Sequence, residues 1–310
     1  MVEFVKFLKI LRISNIVVVI AYTVCNYFLV AVPLYKKYDI PGHLGLWDFE
    51  VFLLLMGLIT IWGYWHNNMK DWLADSINKE YSIYHFIERE EARIINYAMI
   101  CVIGVAIAYL FYKGKEIISS LMLLSLTLIY LYNVYFKGVP LLGNLIVAFI
   151  CALGVALPQL FHFYYIVEKM PSYVRYLNIP ITPIFKCTLF SMLSMFFICT
   201  GREICKCYLD KAGDAFIGKR TIAFVINSAR GCGIAFFFTV AGLLPLLIYV
   251  NFMAVYTLVC AFIVLVLLLL WRYSIKRGDM SFFKWCSVVG KILIFAGVLH
   301  VIYWLRKIVI

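Results

Sequence analysis

Long apolar stretches constrain the fold of this chain more than any other feature. Each runs for about 20 residues, the length at which an α-helix crosses the hydrocarbon core of a bilayer. The 310-residue sequence is 65% hydrophobic and 14% charged, with a mean hydropathy of +0.95, whereas a soluble domain carries about 25% charged residues. We predict an all-α membrane protein whose nine transmembrane helices are Ile13 to Leu34, Phe49 to Trp65, Ile94 to Tyr112, Ile117 to Tyr135, Leu141 to Val167, Pro183 to Ile204, Gly231 to Val250, Met253 to Trp271 and Trp285 to Trp304.

The basic residues predict the orientation of these spans. An odd number of spans places the two termini on opposite sides of the membrane. Of the 28 Lys and Arg residues, 18 fall on the side of the N-terminus and 9 on the other side, with Lys291 inside the last span. The positive-inside rule then places the N-terminus in the cytoplasm, and we expect the inner or plasma membrane of the cell.

The net charge of +12 has two interpretations, a surface for nucleic acid or attraction to anionic lipid headgroups. The basic residues flank the spans and do not form one long run, which favours lipid headgroups and no nucleic acid. No soluble domain or low-complexity linker interrupts the spans. Residues 1–310 are therefore predicted to form a single transmembrane domain.

Acidic residues are scarce, and some of them cluster directly after the second span. Asn67, Asp71 and Asp75 lie at i, i+4 and i+8, so they share one face if the helix continues past the span. Carboxylate and amide oxygens are suitable ligands for Mg²⁺, and waters and substrate phosphate oxygens complete its coordination shell. A solvated helix end without a ligand is the alternative interpretation of the same residues.

A second acidic stretch follows the sixth span and lies on the same predicted side. Asp210 and Asp214 alternate here with basic residues, among them Lys206, Arg202 and Lys219. A diphosphate group needs metal ions to bridge its oxygens and cations to neutralise the remaining charge, so both residue types are expected at one site. The two stretches together favour a metal-dependent enzyme that acts on a lipid diphosphate.

The chain resembles the UbiA-type intramembrane prenyltransferases, which carry an Asn-Asp-x-x-Asp-x-x-x-Asp motif after the second span and an Asp-x-x-x-Asp motif after the sixth. We call Asn67 to Asp75 the first motif and Asp210 to Asp214 the second motif. Other similar segments are Arg12 to Asn15, Arg202-Glu203 and Gly218 to Thr221, and, for the branch that makes digeranylgeranylglyceryl phosphate, Tyr132 to Lys137 and Leu141 to Asn144.

This resemblance implies a helical bundle around a central cavity, two Mg²⁺ ions, a prenyl diphosphate donor and a lipid-soluble acceptor. The reaction would ionise the allylic diphosphate and join the prenyl group to an acceptor oxygen or aromatic carbon. The implied catalytic residues are Asp71, Asp75, Asp210 and Asp214. The implied metal ligands are these four with Asn67, and the implied substrate-binding residues are Asn15, Asn67, Asn68, Lys137, Lys206, Lys219 and Arg202.

Two positions depart from the family pattern. Asn68 stands where the first motif usually has Asp, and Cys207 stands where many relatives have a further Asp. Four aspartates remain, which balance the charge of two Mg²⁺ ions. An intramembrane terpene cyclase, or a lipid-binding or transport protein without catalysis, remains an alternative to a prenyltransferase, and the sequence leaves the acceptor, the chain length and the oligomeric state open.

Overall fold

A computed structural model describes residues 2–38, 46–78, 81–169, 181–250 and 253–309, and throughout these ranges the ordered elements are helical. The α-helices are Val2–Ile10 (α1), Ile13–Asn26 (α2), Val32–Lys37 (α3), Leu46–Ile77 (α4), Arg89–Tyr112 (α5), Glu116–Leu131 (α6), Leu142–Lys169 (α7), Ile181–Leu209 (α8), Lys211–Phe216 (α9), Ile222–Val225 (α10), Ser228–Ala241 (α11), Leu243–Tyr249 (α12), Ala254–Arg277 (α13) and Ser281–Val309 (α14).

Nine of the described helical stretches are long and apolar enough to cross a membrane, which confirms the nine predicted spans. The first joins α2 to α3 through one π-helical segment, Tyr27–Ala31, and the fourth ends in another, Tyr132–Phe136. Predicted ends differ from the observed ones. The second predicted span ends at Trp65, but α4 continues to Ile77 and includes the polar residues that follow the apolar run.

This extension decides the geometry of the first motif. All residues from Asn67 to Asp75 lie inside α4, so they follow helical spacing. The sixth predicted span likewise ends at Ile204, whereas α8 continues to Leu209, directly before the second motif. The end of α4 thus carries the first motif beyond its apolar segment, and the second motif begins directly after the end of α8.

The chain forms two compact units. The first contains residues 1–133, 156–185 and 302–310, and the second contains residues 134–155 and 186–301. In the first unit, Phe52, Leu55 and Trp62 of α4 are fully buried, together with Ile103 and Leu110 of α5. These apolar residues hold α4 in place by removing their surface from water and lipid. The single domain predicted for the whole chain remains a prediction.

Tyr208 anchors the second unit beside the second motif. Its ring stacks on Phe283 with centroids 4.3 Å apart, and its hydroxyl donates to the carbonyl oxygen of Ile226 at 2.8 Å. Gly231 is required for this packing, since a Cβ there would lie 2.2 Å from the phenol. Tyr208 precedes Asp210 by two residues, so the same contacts fix the backbone from which the second motif starts.

α13 is the most apolar span and the least buried. Its mean hydropathy is 2.8 and only 6% of its most apolar window is buried inside the protein. Large side chains such as Leu258, Phe262 and Leu269 are more than half exposed. A helix that is apolar around its whole circumference fits a hydrocarbon environment, so this face suits contact with lipid.

Candidate active site

The first motif presents a row of oxygen atoms along α4. Asn67, Asp71 and Asp75 follow one another at intervals of about 6 Å along the helix axis. Asp71 is only 4% exposed, and its two neighbours in the row are half-buried. The sequence-based expectation that these three residues share one helical face is met, and their assignment as ligands remains a prediction.

Asn68 lies beside this row and contacts the backbone. Its side-chain amide donates to the carbonyl oxygens of Ile10, at 3.2 Å, and Tyr64, at 2.9 Å. A carboxylate at this position would face two oxygen acceptors and could donate to neither. The packing therefore gives the Asn68 amide a structural role that Asp could not take, and the assignment of Asn68 as a substrate-binding residue remains a prediction.

Asn15 and Arg12 meet Tyr64 on the same side of α4. The Asn15 amide donates to the Tyr64 hydroxyl at 2.7 Å, and the Arg12 guanidinium lies over the Tyr64 ring, 5.3 Å from its centroid. Arg12 has φ 49° and ψ 47°, the left-handed conformation that separates α1 from α2. Sequence reasoning missed Tyr64, although its spacing of seven residues from Asp71 is two helical turns and was visible.

His66 precedes the motif but points elsewhere. Its ring stacks between Trp62, at 5.1 Å, and Tyr130, at 5.8 Å, and its Nδ1 lies 3.2 Å from the Asn133 amide nitrogen. Five residues correspond to a rotation of about 140° around a helix, so His66 and Asp71 occupy different faces of α4. This packing favours a structural role for His66 over the role of a base beside the carboxylate row.

The second motif is a short helical turn with a buried carboxylate. Asp210 precedes α9, and its carbonyl oxygen accepts from the Asp214 backbone N–H at 3.1 Å. Asp214 is 7% exposed. Gly218 has φ +73°, which turns the chain back so that the Lys219 N–H donates to the Asp214 carbonyl oxygen at 2.9 Å. The turn therefore brings a lysine beside the buried acid.

Charge surrounds Asp214 on several sides. Burial raises the pKa of Asp214 above its usual value, the nearby Asp210 adds to this rise, and three lysines oppose it. The lysines are the predicted substrate-binding residues Lys137, Lys206 and Lys219. Gly138 packs against the side chain of Lys219. A Cβ atom added to Gly138 would lie 3.6 Å from the Lys219 Cγ. Three of the four predicted cations of the second unit therefore act on Asp214.

Arg202 and Cys207 each have a specific partner. The Arg202 guanidinium donates to Glu203 at 2.6 Å, and both side chains are largely buried. The Asn144 amide donates to the Cys207 sulfur at 3.2 Å. Asn144 was noted only as part of a similar segment, and no sequence signal links it to Cys207, since 63 residues separate the two.

The oxygen atoms of the two motifs are suitable ligands for Mg²⁺ if a substrate completes the coordination shell. Within the described ranges, no group of three or more His, Cys, Asp or Glu side chains converges to hold a metal. Each motif supplies two carboxylates, and Mg²⁺ is commonly held by one or two carboxylates with waters and phosphate oxygens. The hard oxygen donors of each pair, Asp71 with Asp75 and Asp210 with Asp214, are therefore of the chemical type that this ion binds when a diphosphate supplies the remaining ligands.

These features define a multi-pass helical membrane protein with two carboxylate motifs at helix ends. The sequence pattern of the UbiA prenyltransferase family matches residues 38–288, and the chain belongs to this family. A solved structure of digeranylgeranylglyceryl phosphate synthase has a similar fold, with a TM-score of 0.64 and 16% sequence identity over 99% of this chain and 100% of that one. Among curated protein sequences, none matches this chain.

Proposed function

We propose that this protein is a Mg²⁺-dependent intramembrane prenyltransferase. It moves an isoprenyl group from a prenyl diphosphate to a lipid-soluble acceptor, either a glycerol phosphate ether or an aromatic quinone precursor. The observation that carries this proposal is the row of Asn67, Asp71 and Asp75 on α4, with Asp71 buried, in a chain of the UbiA prenyltransferase family. The similar fold of digeranylgeranylglyceryl phosphate synthase supports it.

The carboxylates have the role of holding the ions and the diphosphate. Asp71 and Asp75, with Asn67, and Asp210 and Asp214 are the proposed ligands of two Mg²⁺ ions. When bound, Mg²⁺ supplies positive charge that stabilises the leaving diphosphate. The chain itself supplies further positive charge through Lys137, Lys206 and Lys219, and Arg202 is proposed to add to it. Asn15 and Asn68 are the remaining proposed contacts of the substrate.

The proposed transfer is a substitution at the allylic carbon. The bond between this carbon and the diphosphate oxygen breaks, and its electron pair leaves with the diphosphate. The acceptor oxygen or ring carbon forms the new bond and loses a proton, which the released diphosphate can take. Apolar walls favour this outcome because they keep water away from the allylic cation.

The orientation follows from the distribution of basic residues. We propose that the N-terminus and both motifs face the cytoplasm and that the protein resides in the inner or plasma membrane. Supporting this, 18 Lys and Arg residues flank the spans on that side and 9 on the other. Labelling of single introduced cysteines in intact cells tests this orientation.

Product analysis tests the reaction. Purified protein in detergent is given geranylgeranyl diphosphate and Mg²⁺, alone or with geranylgeranylglyceryl phosphate or 4-hydroxybenzoate, and products are identified by mass spectrometry. A prenylated acceptor supports the proposal. A cyclic hydrocarbon formed from the donor alone would identify a terpene cyclase, and unchanged donor over a range of chain lengths would indicate a lipid-binding or transport protein.

A further inference from the structure

An open apolar groove lies within the second unit, between the seventh span, formed by α11 and α12, and α13. Its volume is about 390 Å³. Apolar side chains form both walls, among them Val240, Leu244 and Leu247 on one side and Ala261, Val264 and Leu268 on the other. The hydroxyl of Thr257, which also lines the groove, donates to the carbonyl oxygen of Met253 at 3.1 Å. A ligand in this groove would therefore meet hydrocarbon along almost its whole length.

Gly242 explains why the groove forms at this level of the seventh span. It lies between α11 and α12, and a Cβ added there would come within 2.5 Å of the Ile198 side chain and 3.0 Å of the Ser194 carbonyl oxygen, both on α8. The Ser194 hydroxyl also donates to the Gly242 carbonyl oxygen. By contrast, α11 packs on α13, where Phe236 stacks on Trp271 with ring centroids 5.4 Å apart. The groove therefore opens beside the part of the span that is held against α8.

The length of the groove matches one lipid chain. On α13 it runs from Leu268 to Thr257, which is eleven positions or about 16 Å along the helix axis. Half of the hydrocarbon core of a bilayer is about 15 Å thick, and this is the depth that an acyl chain has in its own leaflet. One acyl chain therefore fits the groove when it lies along α13.

Two basic residues follow the groove at the end of α13 that is predicted to face the cytoplasm. Arg272 lies four residues after Leu268, about 6 Å along the axis, and Lys276 lies four residues further. Both side chains are exposed, and so are Leu265 and Leu269 beside the groove. Long basic side chains extend from apolar surface to the headgroup region, and a guanidinium binds phosphate through paired hydrogen bonds. This face thus passes from hydrocarbon to phosphate-binding groups within two helical turns.

The nearest acidic residue in the sequence, Asp279, has its own partners. Its carboxylate accepts from the backbone N–H of Ser281 at 3.0 Å and from its hydroxyl at 2.5 Å. These bonds lower the pKa of Asp279, and Arg277 contributes to the same shift. Arg277 lies over the Tyr273 ring, 4.8 Å from its centroid, and five residues rotate it by about 140° from Arg272. The acid therefore acts on a different face of α13 from the one that continues the groove.

We propose that the groove, with Arg272 and Lys276, binds one anionic phospholipid of the cytoplasmic leaflet. The phosphate contacts the guanidinium and the ammonium group, and one acyl chain lies in the groove. Phosphatidylcholine would bring its own cation towards two positive charges, so an anionic headgroup is preferred. The bound chain fills the space between α12 and α13 and thereby stabilises the second unit.

Lipid binding to the purified, delipidated protein in detergent tests this site. Dioleoylphosphatidylglycerol, dioleoylphosphatidylcholine or inorganic phosphate is added, bound lipid is counted by native mass spectrometry, and Tm is measured in parallel. The wild type is expected to retain one phosphatidylglycerol and to show a higher Tm with it. Phosphatidylcholine should bind more weakly, and inorganic phosphate should leave Tm unchanged because it lacks the chain.

Neutralising the two cations tests the headgroup contact. For the double variant Arg272→Gln, Lys276→Gln we expect phosphatidylglycerol binding about tenfold weaker than in the wild type. The double variant Arg277→Gln, Lys284→Gln is the matched control, since it removes equal charge from the same predicted side of the membrane. Its affinity for phosphatidylglycerol should equal that of the wild type.

Filling the groove tests the chain contact separately. Ala261→Phe places a ring in the groove and keeps both cations, so it should also weaken phosphatidylglycerol binding. Leu258→Phe is its control, because Leu258 is 70% exposed on α13 and does not line the groove.

Three results would overturn the proposal. They are equal affinity for the two phospholipids, wild-type binding in both the cation and the groove variants, and a lipid-free dimer that Ala261→Phe dissociates, which would assign the groove to a second copy of the chain. No prenyl diphosphate enters these measurements, so their outcome is independent of the proposed function.

Discussion

The Lys219 backbone N–H donates to the Asp214 carbonyl oxygen at 2.9 Å, which closes the loop after the second motif. Gly218 makes this closure possible with its φ of +73°. The loop places the Lys219 side chain where its charge acts on the Asp214 carboxylate. A cation and a buried acid are therefore held together by the backbone of their own segment.

Gly218→Ala should weaken donor binding. An L-residue at positive φ costs about 1 kcal/mol, so the loop is expected to lose its closed form and the KM for geranylgeranyl diphosphate to rise several-fold. Gly114→Ala is the control, since Gly114 has φ +72° and, like Gly218, open space around its Cβ. Similar losses of stability in the two variants, with a raised KM in Gly218→Ala alone, are the expected result. An equal KM for geranylgeranyl diphosphate in the two variants would argue that this loop does not contribute to donor binding.

Asp214→Asn should increase stability and remove activity. Burial raises the pKa of this carboxyl, so its ionisation opposes folding as the pH rises through the raised value, and a neutral amide avoids that cost. Without metal at pH 7.5, we expect a Tm about 1–3 °C above that of the wild type. The difference should shrink as the pH is lowered, because the wild-type carboxyl then takes up the proton that removes its charge. A lower Tm at pH 7.5 would show that the lysines outweigh burial.

Asn68→Asp should destabilise the protein although it restores the usual family residue. The carboxylate cannot donate to the carbonyl oxygens of Ile10 and Tyr64, and we expect a loss of about 1–3 kcal/mol, measured by thermal unfolding in detergent. Asn227→Asp is the matched control, because Asn227 accepts from the Arg230 N–H at a helix start and Asp does so equally well. Equal stability of the two variants would contradict this account of position 68.

Cys207→Asp should lower the Mg²⁺ concentration needed for half-maximal activity. The Asn144 amide already donates to the side chain at 207, so it can stabilise a carboxylate there, and the added negative charge attracts the ion. We expect a several-fold decrease, and little change for Cys207→Ser, which adds no charge. An unchanged or higher Mg²⁺ requirement in Cys207→Asp would show that a carboxylate at position 207 does not strengthen metal binding.

The sequence alone predicted the spans well but not where their helices end. Length and apolarity suffice to recognise a helix that crosses a bilayer, whereas they say nothing about hydrogen bonding beyond the apolar run. The predicted ends at Trp65 and Ile204 therefore fell short of the observed ends at Ile77 and Leu209. The row of the first motif was nevertheless predictable, since helical periodicity alone aligns Asn67 with Asp71.

Partners distant in the sequence were not predictable. Tyr64 meets Asn15 across 49 positions, and Cys207 meets Asn144 across 63. Such pairs depend on how helices pack, and neither periodicity nor composition reports packing. The backbone contacts of Asn68 belong to the same class, so the sequence showed its departure from the family pattern without the structural reason for it.

Diphosphate release by Asp71→Asn, compared with Asp48→Asn, tests the central claim most directly. Both aspartates lie on α4, but Asp48 lies near the opposite end of the helix and accepts from Tyr109. With geranylgeranyl diphosphate, Mg²⁺ and acceptor, we expect release by the wild type and Asp48→Asn, and a loss of at least about 100-fold in Asp71→Asn. Release by Asp71→Asn at the wild-type rate, or release that does not need Mg²⁺, would contradict the proposed site.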